Sequence, residues 1–265
     1  MYDDEPLPRS PDDIESHELE SALADLSLMD DMFLRMQITN LTVTDQVLMD
    51  LEMNLLRRKF EEERTPIDDA VVLLAFSQMW IFAAYELLRT WRARVKEFQK
   101  WKLNCGFEAK IAALEAKGGA PLHLGRQIRI DQLKRARDEP DLLAKLDADL
   151  RRTHILFKRL EGVRVWLSKH EVVGKRNSIA AAPGLSLINR YTGSLEFELS
   201  HDSVILDTVS RRDIADHMRA IPGEPQTAEE LAAYDEMMAD LYSTDARALF
   251  EAGNDSHRGE SEGEV

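Results

Sequence analysis

Cysteine occurs once in this 265-residue chain, at Cys105, which excludes an internal disulfide and any cysteine-based zinc site. The seven histidines are scattered without a paired ligand spacing, so no metal and no small-molecule cofactor is expected. A glycine-rich phosphate loop is missing too. Gly174-Lys175 lacks the preceding glycine and the strand-loop-helix setting, and Pro183-Gly184-Leu185-Ser186-Leu187 lacks the second glycine of a nucleophile elbow. Long apolar runs are also scarce. The longest, Ala70 to Tyr85, is interrupted by Ser77 and Gln78 and falls short of the roughly 20 residues that span a bilayer, so it reads as a buried central helix rather than a membrane segment. The first residues, MYDDEPLPRSPDD, are acidic and contain no apolar stretch, the opposite of a secretory or mitochondrial leader. A reducing, cytoplasmic setting is the expectation.

What the chain does have is charge, and it is segregated. The formal net charge is -15. The first 25 residues carry nine carboxylates against Arg9 alone, and the stretch from Glu224 onward carries twelve against Arg247 and Arg258. Between residues 26 and 223 there remain 31 bases and 28 acids, and residues 92 to 176 hold 21 Lys and Arg against 11 Asp and Glu. An acidic total therefore conceals a slightly basic body that can attract polyanions.

The apolar spacing points to a mainly α protein. Ser10-Pro11-Asp12-Asp13 reads as the start of a short helix carrying Leu19 and Leu23. Thr44 is expected to cap a helix running to about Glu63, with Val47, Leu48, Leu51, Leu55 and Phe60 at helical intervals. Pro66, with Asp68 and Asp69 at the positive end of the dipole, opens a long helix to about Leu103. Its first half is apolar nearly all round, and Arg89, Arg92, Arg94 and Lys96 in its second half are expected to face water. Short helices over Phe107 to Lys117 and Gly125 to Arg137 follow. One long helix is expected from Pro140 to His170, antiparallel to the earlier long helix.

After Gly174 the period changes to two, and Leu185–Arg190, Leu195–Leu199 and Val204–Val209 read as a three-stranded meander. Ser210-Arg211-Arg212-Asp213 matches a capping box, and so does Thr227-Ala228-Glu229-Glu230 at the start of an amphipathic helix. The expected organisation is an acidic, largely disordered leader (1–25), a bundle of long antiparallel helices (26–178), a small antiparallel β-meander with a short helix (179–222), and an acidic tail with one amphipathic helix (223–265).

Two functional readings come from these residues. In the first, the protein acts by assembly or partner binding, as a homodimer or with an RNA or protein partner. Arg151, Arg152, Lys158, Arg159, Lys169, Lys175 and Arg176 supply a cationic face, which the acidic ends would shield until RNA or a basic partner displaced them. A solvated helix surface balanced by those same ends is the plain alternative for this charge. Trp80, Trp91, Trp101 and Trp166 lie on apolar stripes, which assigns them to core packing rather than base stacking.

The second reading comes from Arg164-Val165-Trp166-Leu167-Ser168-Lys169-His170, an arginine and a histidine separated by five residues. This resembles the R-x(4-6)-H signature of the HEPN (higher eukaryotes and prokaryotes nucleotide-binding) superfamily, all-α proteins whose active members are metal-independent endoribonucleases working as dimers. The resemblance covers residues 44 to 172 and implies that Arg164 stabilises charge on the scissile phosphate. His170 would transfer a proton during attack by the ribose 2′-hydroxyl, and Glu86 would be their polar partner. The alternative for His170 is a packed histidine continuing the stripe of Val163, Trp166 and Leu167.

Overall fold

The structure, a computed structural model, describes residues 8–116, 124–168, 185–201 and 204–241. It is mainly helical with one small sheet, as the periodicity predicts. The helices are α1 (Glu18–Ala24), α2 (Met32–Glu61), α3 (Ile67–Leu103), α4 (Phe107–Glu115), α5 (Leu124–Asp138), α6 (Pro140–Arg152), α7 (His154–Ser168), α8 (Arg211–Arg219) and α9 (Ala228–Leu241). The strands β1 (Leu185–Ile188), β2 (Leu195–His201) and β3 (Val204–Ser210) form an antiparallel meander in that order.

The antiparallel hairpin of α2 and α3, 30 and 37 residues long, is the frame. Leu41, Leu48 and Leu55 of α2 meet Leu73, Trp80, Leu87 and Trp91 of α3 in the core. Both tryptophans are buried with their polar ends satisfied. Trp80 Nε1 donates to the Leu41 carbonyl (3.1 Å) and Trp91 Nε1 to the Ser27 carbonyl (2.7 Å), as buried indoles require. The start of α2 lies twelve residues before the expected Thr44. Asp31 caps it by accepting from the backbone N–H groups of Phe33 and Leu34, while the Thr44 hydroxyl bonds back to the Asn40 carbonyl inside the helix. Both residues can cap, and burial of Leu34, Ile38 and Leu41 extends the helix backwards to Asp31.

The single long helix expected from Pro140 to His170 is two helices, broken at Thr153. The break has a local cause. Arg92 Nη1 donates to the Leu150 carbonyl (3.1 Å) and to the Thr153 hydroxyl (2.7 Å), and that hydroxyl donates in turn to the Asp149 carbonyl (2.9 Å). Arg92 was expected to face water. It is buried, its guanidinium 4.8 Å from the centre of the Phe157 ring. Burial pushes its pKa down to about 10, against some support from Glu161, so it still carries its charge at neutral pH. Replacing Thr153 with valine keeps the shape and removes the bridge. An expected loss of about 1–3 kcal/mol, for a charged donor left partly unpaired, is measurable by urea unfolding.

Within the acidic leader, residues 8–25 pack on the bundle. Leu19 and Leu23 are buried in the common core, and Arg212 donates to the Arg9 carbonyl (2.8 Å). Arg9 also holds the Glu18 carboxylate through both guanidinium nitrogens at 2.7 Å. That pairing and the Glu15 backbone N–H bring the Glu18 pKa down to about 2. A depressed carboxylate stabilises the fold above its unfolded value, near 4.5, and this contribution fades as pH falls toward 2. Hydrogen exchange should therefore show the segment around Ile14 loosening in this acid range, and Glu18→Gln should loosen it already at neutral pH.

The meander is not separate from the bundle. Ile188, Leu195, Phe197 and Val209 belong to the same buried cluster as the helices. Three short strands cannot bury themselves, and here the helices cover them.

Candidate functional site

Of the residues that pattern alone nominates, Arg164 lies with its guanidinium 5.3 Å from the centre of the Tyr85 ring, and Tyr85 stacks on Phe157 (5.6 Å). Glu86 follows Tyr85 by one residue, a rotation of 100° about the helix, and its exposed carboxylate pairs with Arg89 (2.6 Å). Tyr85 thus faces α7 while Glu86 turns to solvent, so Arg164 and Glu86 are not brought together. His170, Lys169, Lys175 and Arg176 lie outside the described residues, as does the Trp166 side chain.

The remaining cations of the expected basic face are partly engaged. Arg152 pairs with the buried Asp149 (3.0 Å) and Arg159 with Asp207 (3.0 Å), whereas Lys158 is exposed and Arg151 half-buried. The amphipathic helix of the acidic tail docks on the body here, since His154 Nε2 lies 2.8 Å from the Asp235 carboxylate of α9. Among the described residues no group of His, Cys, Asp and Glu could hold a metal.

Two arrangements that pattern did not nominate stand out. The first is a buried ionic clamp. Asp45 and Glu52 fall on the same α2 stripe as Leu41, Leu48 and Leu55, and both are buried. Arg211, the first residue of α8, grips both oxygens of Glu52 (2.8 and 2.7 Å) and one of Asp45. Arg219 takes the other Asp45 oxygen, and Ser194 Oγ donates to Glu52 (2.8 Å). Burial pulls the Arg211 pKa down, but Glu52 and Asp45 more than offset it, so the value ends above normal. The guanidinium also sits 5.4 Å from the centre of the Trp80 ring. Every charge in the clamp is matched by protein, so this is a structural joint with no open position for substrate. Its signal in the sequence was two carboxylates on an apolar stripe.

The second is the outer face of the α2–α3 hairpin. Ala70–Tyr85 was expected to be buried all round, and it is not. Val72, Phe76 and Met79 of α3 are exposed, Met79 to 65%, and so are Met36, Val43 and Val47 of α2. At 100° per residue the α3 trio falls within a sector of about 60° and the α2 trio within about 40°. Both sectors fall outside the buried stripes of their helices. The Trp80–Leu41 bond ties the two antiparallel helices at this level, so Val43 and Val47 of α2 fall at a similar height along the hairpin to Phe76 and Met79 of α3. The α3 helix is also long and apolar enough to cross a membrane, with 44% of its most apolar window buried. No protein-family model, no curated protein and no solved structure matches the chain.

Proposed function

We propose that this protein acts by assembly, two copies packing the outer faces of their α2–α3 hairpins together. The observation that carries the reading is the exposed patch of Met36, Val43, Val47, Val72, Phe76 and Met79. A folded monomer rarely leaves several hundred Å2 of contiguous apolar surface uncovered unless something binds there.

A second copy fits this face better than a polyion. The borders carry both signs, with Arg35, Asp50, Arg57, Glu86 and Arg89 all exposed, so neither a polyanion nor a polycation is attracted along the whole length. Two straight hairpins related by a two-fold axis would form a four-helix layer, the geometry in which paired apolar stripes pack well.

Sedimentation of the wild type and of Phe76→Glu/Met79→Glu tests this. Both side chains are exposed, so helicity should be unchanged. By symmetry each substitution acts twice, and the dimer is expected to weaken by at least about 100-fold. Equal masses for the two proteins across the concentration range would reject the proposal. So would a monomeric wild type that floats with lipid vesicles, which would assign the face to a membrane.

A further inference from the structure

The outer face of the α2–α3 hairpin is rich in a side chain whose polarity can be changed by reaction. Met36 and Met79 are 55% and 65% exposed, and Met32, one turn before Met36 on the same side of α2, is 42% exposed. Methionine is among the residues most often fully buried, and elsewhere in the bundle it follows that habit. Met29 and Met218 are 0% exposed, and Met49 is buried. Inward, α2 presents Leu41, Leu48 and Leu55 to the common core. Outward it presents thioethers and valines.

A thioether differs from a leucine side chain in carrying a sulfur lone pair. When hydrogen peroxide arrives, that lone pair attacks one peroxide oxygen, and the O–O bond breaks as the S–O bond forms. The proton on the transferred oxygen passes to the departing hydroxide, which leaves as water. Sulfur gives up two electrons and the peroxide gains them. The flexible apolar side chain becomes a polar sulfoxide, and access to the sulfur governs which methionines react. Exposure therefore selects Met32, Met36 and Met79 over Met29, Met49 and Met218.

What the new oxygen costs depends on the state of assembly. On a single hairpin it faces water and is hydrated. Between two copies it would meet Val43, Val47, Val72 and Phe76, side chains with no hydrogen-bond donor to offer. A buried acceptor without a donor is costly. Only the paired state would lose by the modification, so the balance would move toward separate chains.

We propose, resting on the two-copy assembly above, that Met36 and Met79, with Met32 beside them, form a peroxide-sensitive modification site that releases the dimer. Oxidation holds the hairpins apart. Enzymatic reduction of the sulfoxides, which returns the oxygen as water at the expense of two thiols, lets them pair again.

Hydrogen peroxide treatment of the full-length protein, followed by peptide mass spectrometry and sedimentation, tests this. Dithiothreitol added before sedimentation reverses any disulfide through the exposed Cys105 and leaves the sulfoxides in place. Sulfoxide should appear at Met32, Met36 and Met79, and at Met237, 49% exposed on α9, before it appears at Met29 or Met218. The dimer dissociation constant should rise about 30-fold or more, since each sulfoxide occurs twice in a symmetric pair. A methionine sulfoxide reductase should restore it. Met237→Leu should respond as the wild type does. Met32→Leu/Met36→Leu/Met79→Leu, compared with itself before and after peroxide, should shift by less than about threefold, because no sulfur remains on the face. A wild-type dimer as tight after oxidation of Met36 and Met79 as before it, or a triple variant that weakens as much as the wild type, overturns the switch and leaves the assembly standing. So does sulfoxide at Met29 or Met218 ahead of Met36 and Met79. A chain that is monomeric before peroxide overturns the assembly and the switch with it.

Discussion

An Arg211→Ala variant is expected to lose about 3–5 kcal/mol of stability, the usual cost of removing one partner from a buried ion pair. The reason is what stays behind. Among the described residues Glu52 would keep only the Ser194 hydroxyl, and Asp45 only Arg219. A carboxylate sealed from water without its counterion must either remain charged at great cost or take up a proton. Arg211→Lys should recover part of the loss, because a lysine supplies charge but not the fork that spans both Glu52 oxygens. Replacing Asp45, Glu52 and Arg211 together by apolar residues of similar volume should cost less than Arg211→Ala alone, since no orphan charge remains. Denaturant unfolding reads all three. A midpoint for Arg211→Ala within about 1 kcal/mol of wild type would show that the clamp does not join α8 to α2.

Gly193→Ala should be the next most damaging single change. Gly193 has φ +73°, and a Cβ there would lie 2.1 Å from the Glu52 carbonyl oxygen and 3.1 Å from the Leu56 Cβ. The left-handed backbone costs an alanine about 1–2 kcal/mol, and displacing packed neighbours adds about 1–3. Backing away from α2 would also pull Ser194 off Glu52, which couples the turn to the clamp. Asn189 shapes this turn by accepting from the N–H groups of Tyr191 and Thr192, so the damage should stay local to β1, β2 and the adjoining turn of α2. Hydrogen exchange that leaves β1 and β2 as protected as in wild type would contradict this view of the contact.

These effects mark where pattern stops informing. The meander, the Ser210 capping box and the helix that starts behind Thr227 were legible because their signals are local. Ser210 and Asp213 exchange hydrogen bonds within one helical turn, and alternating Leu195, Phe197 and Leu199 need only the pleat to be recognised. The break at Thr153 was not legible, because it depends on Arg92, 61 residues away in the chain. The early start of α2 was missed for a related reason. Asp31 and Thr44 both have capping chemistry, and burial of the intervening leucines chose between them. Of the residues nominated as a site, Arg164 of α7 lies over the Tyr85 ring of α3, while the neighbouring Glu86 pairs with Arg89. The cations of α6 and α7 are drawn partly into pairs with Asp149 and Asp207.

By itself the amino-acid sequence determined the class of the molecule, its run of helices, its three-stranded meander and its segregation of charge, since all of these arise from composition and from contacts a few residues apart. Tertiary structure alone decided which polar groups are buried together and which apolar groups are left outside. Asp45, Glu52 and Arg211 meet only when α8 returns to α2 across more than 150 residues, and Phe76 and Met79 are exposed because, among the described residues, no element covers them. Periodicity records whether a side chain is apolar, but whether a partner lies opposite it depends on how distant segments pack.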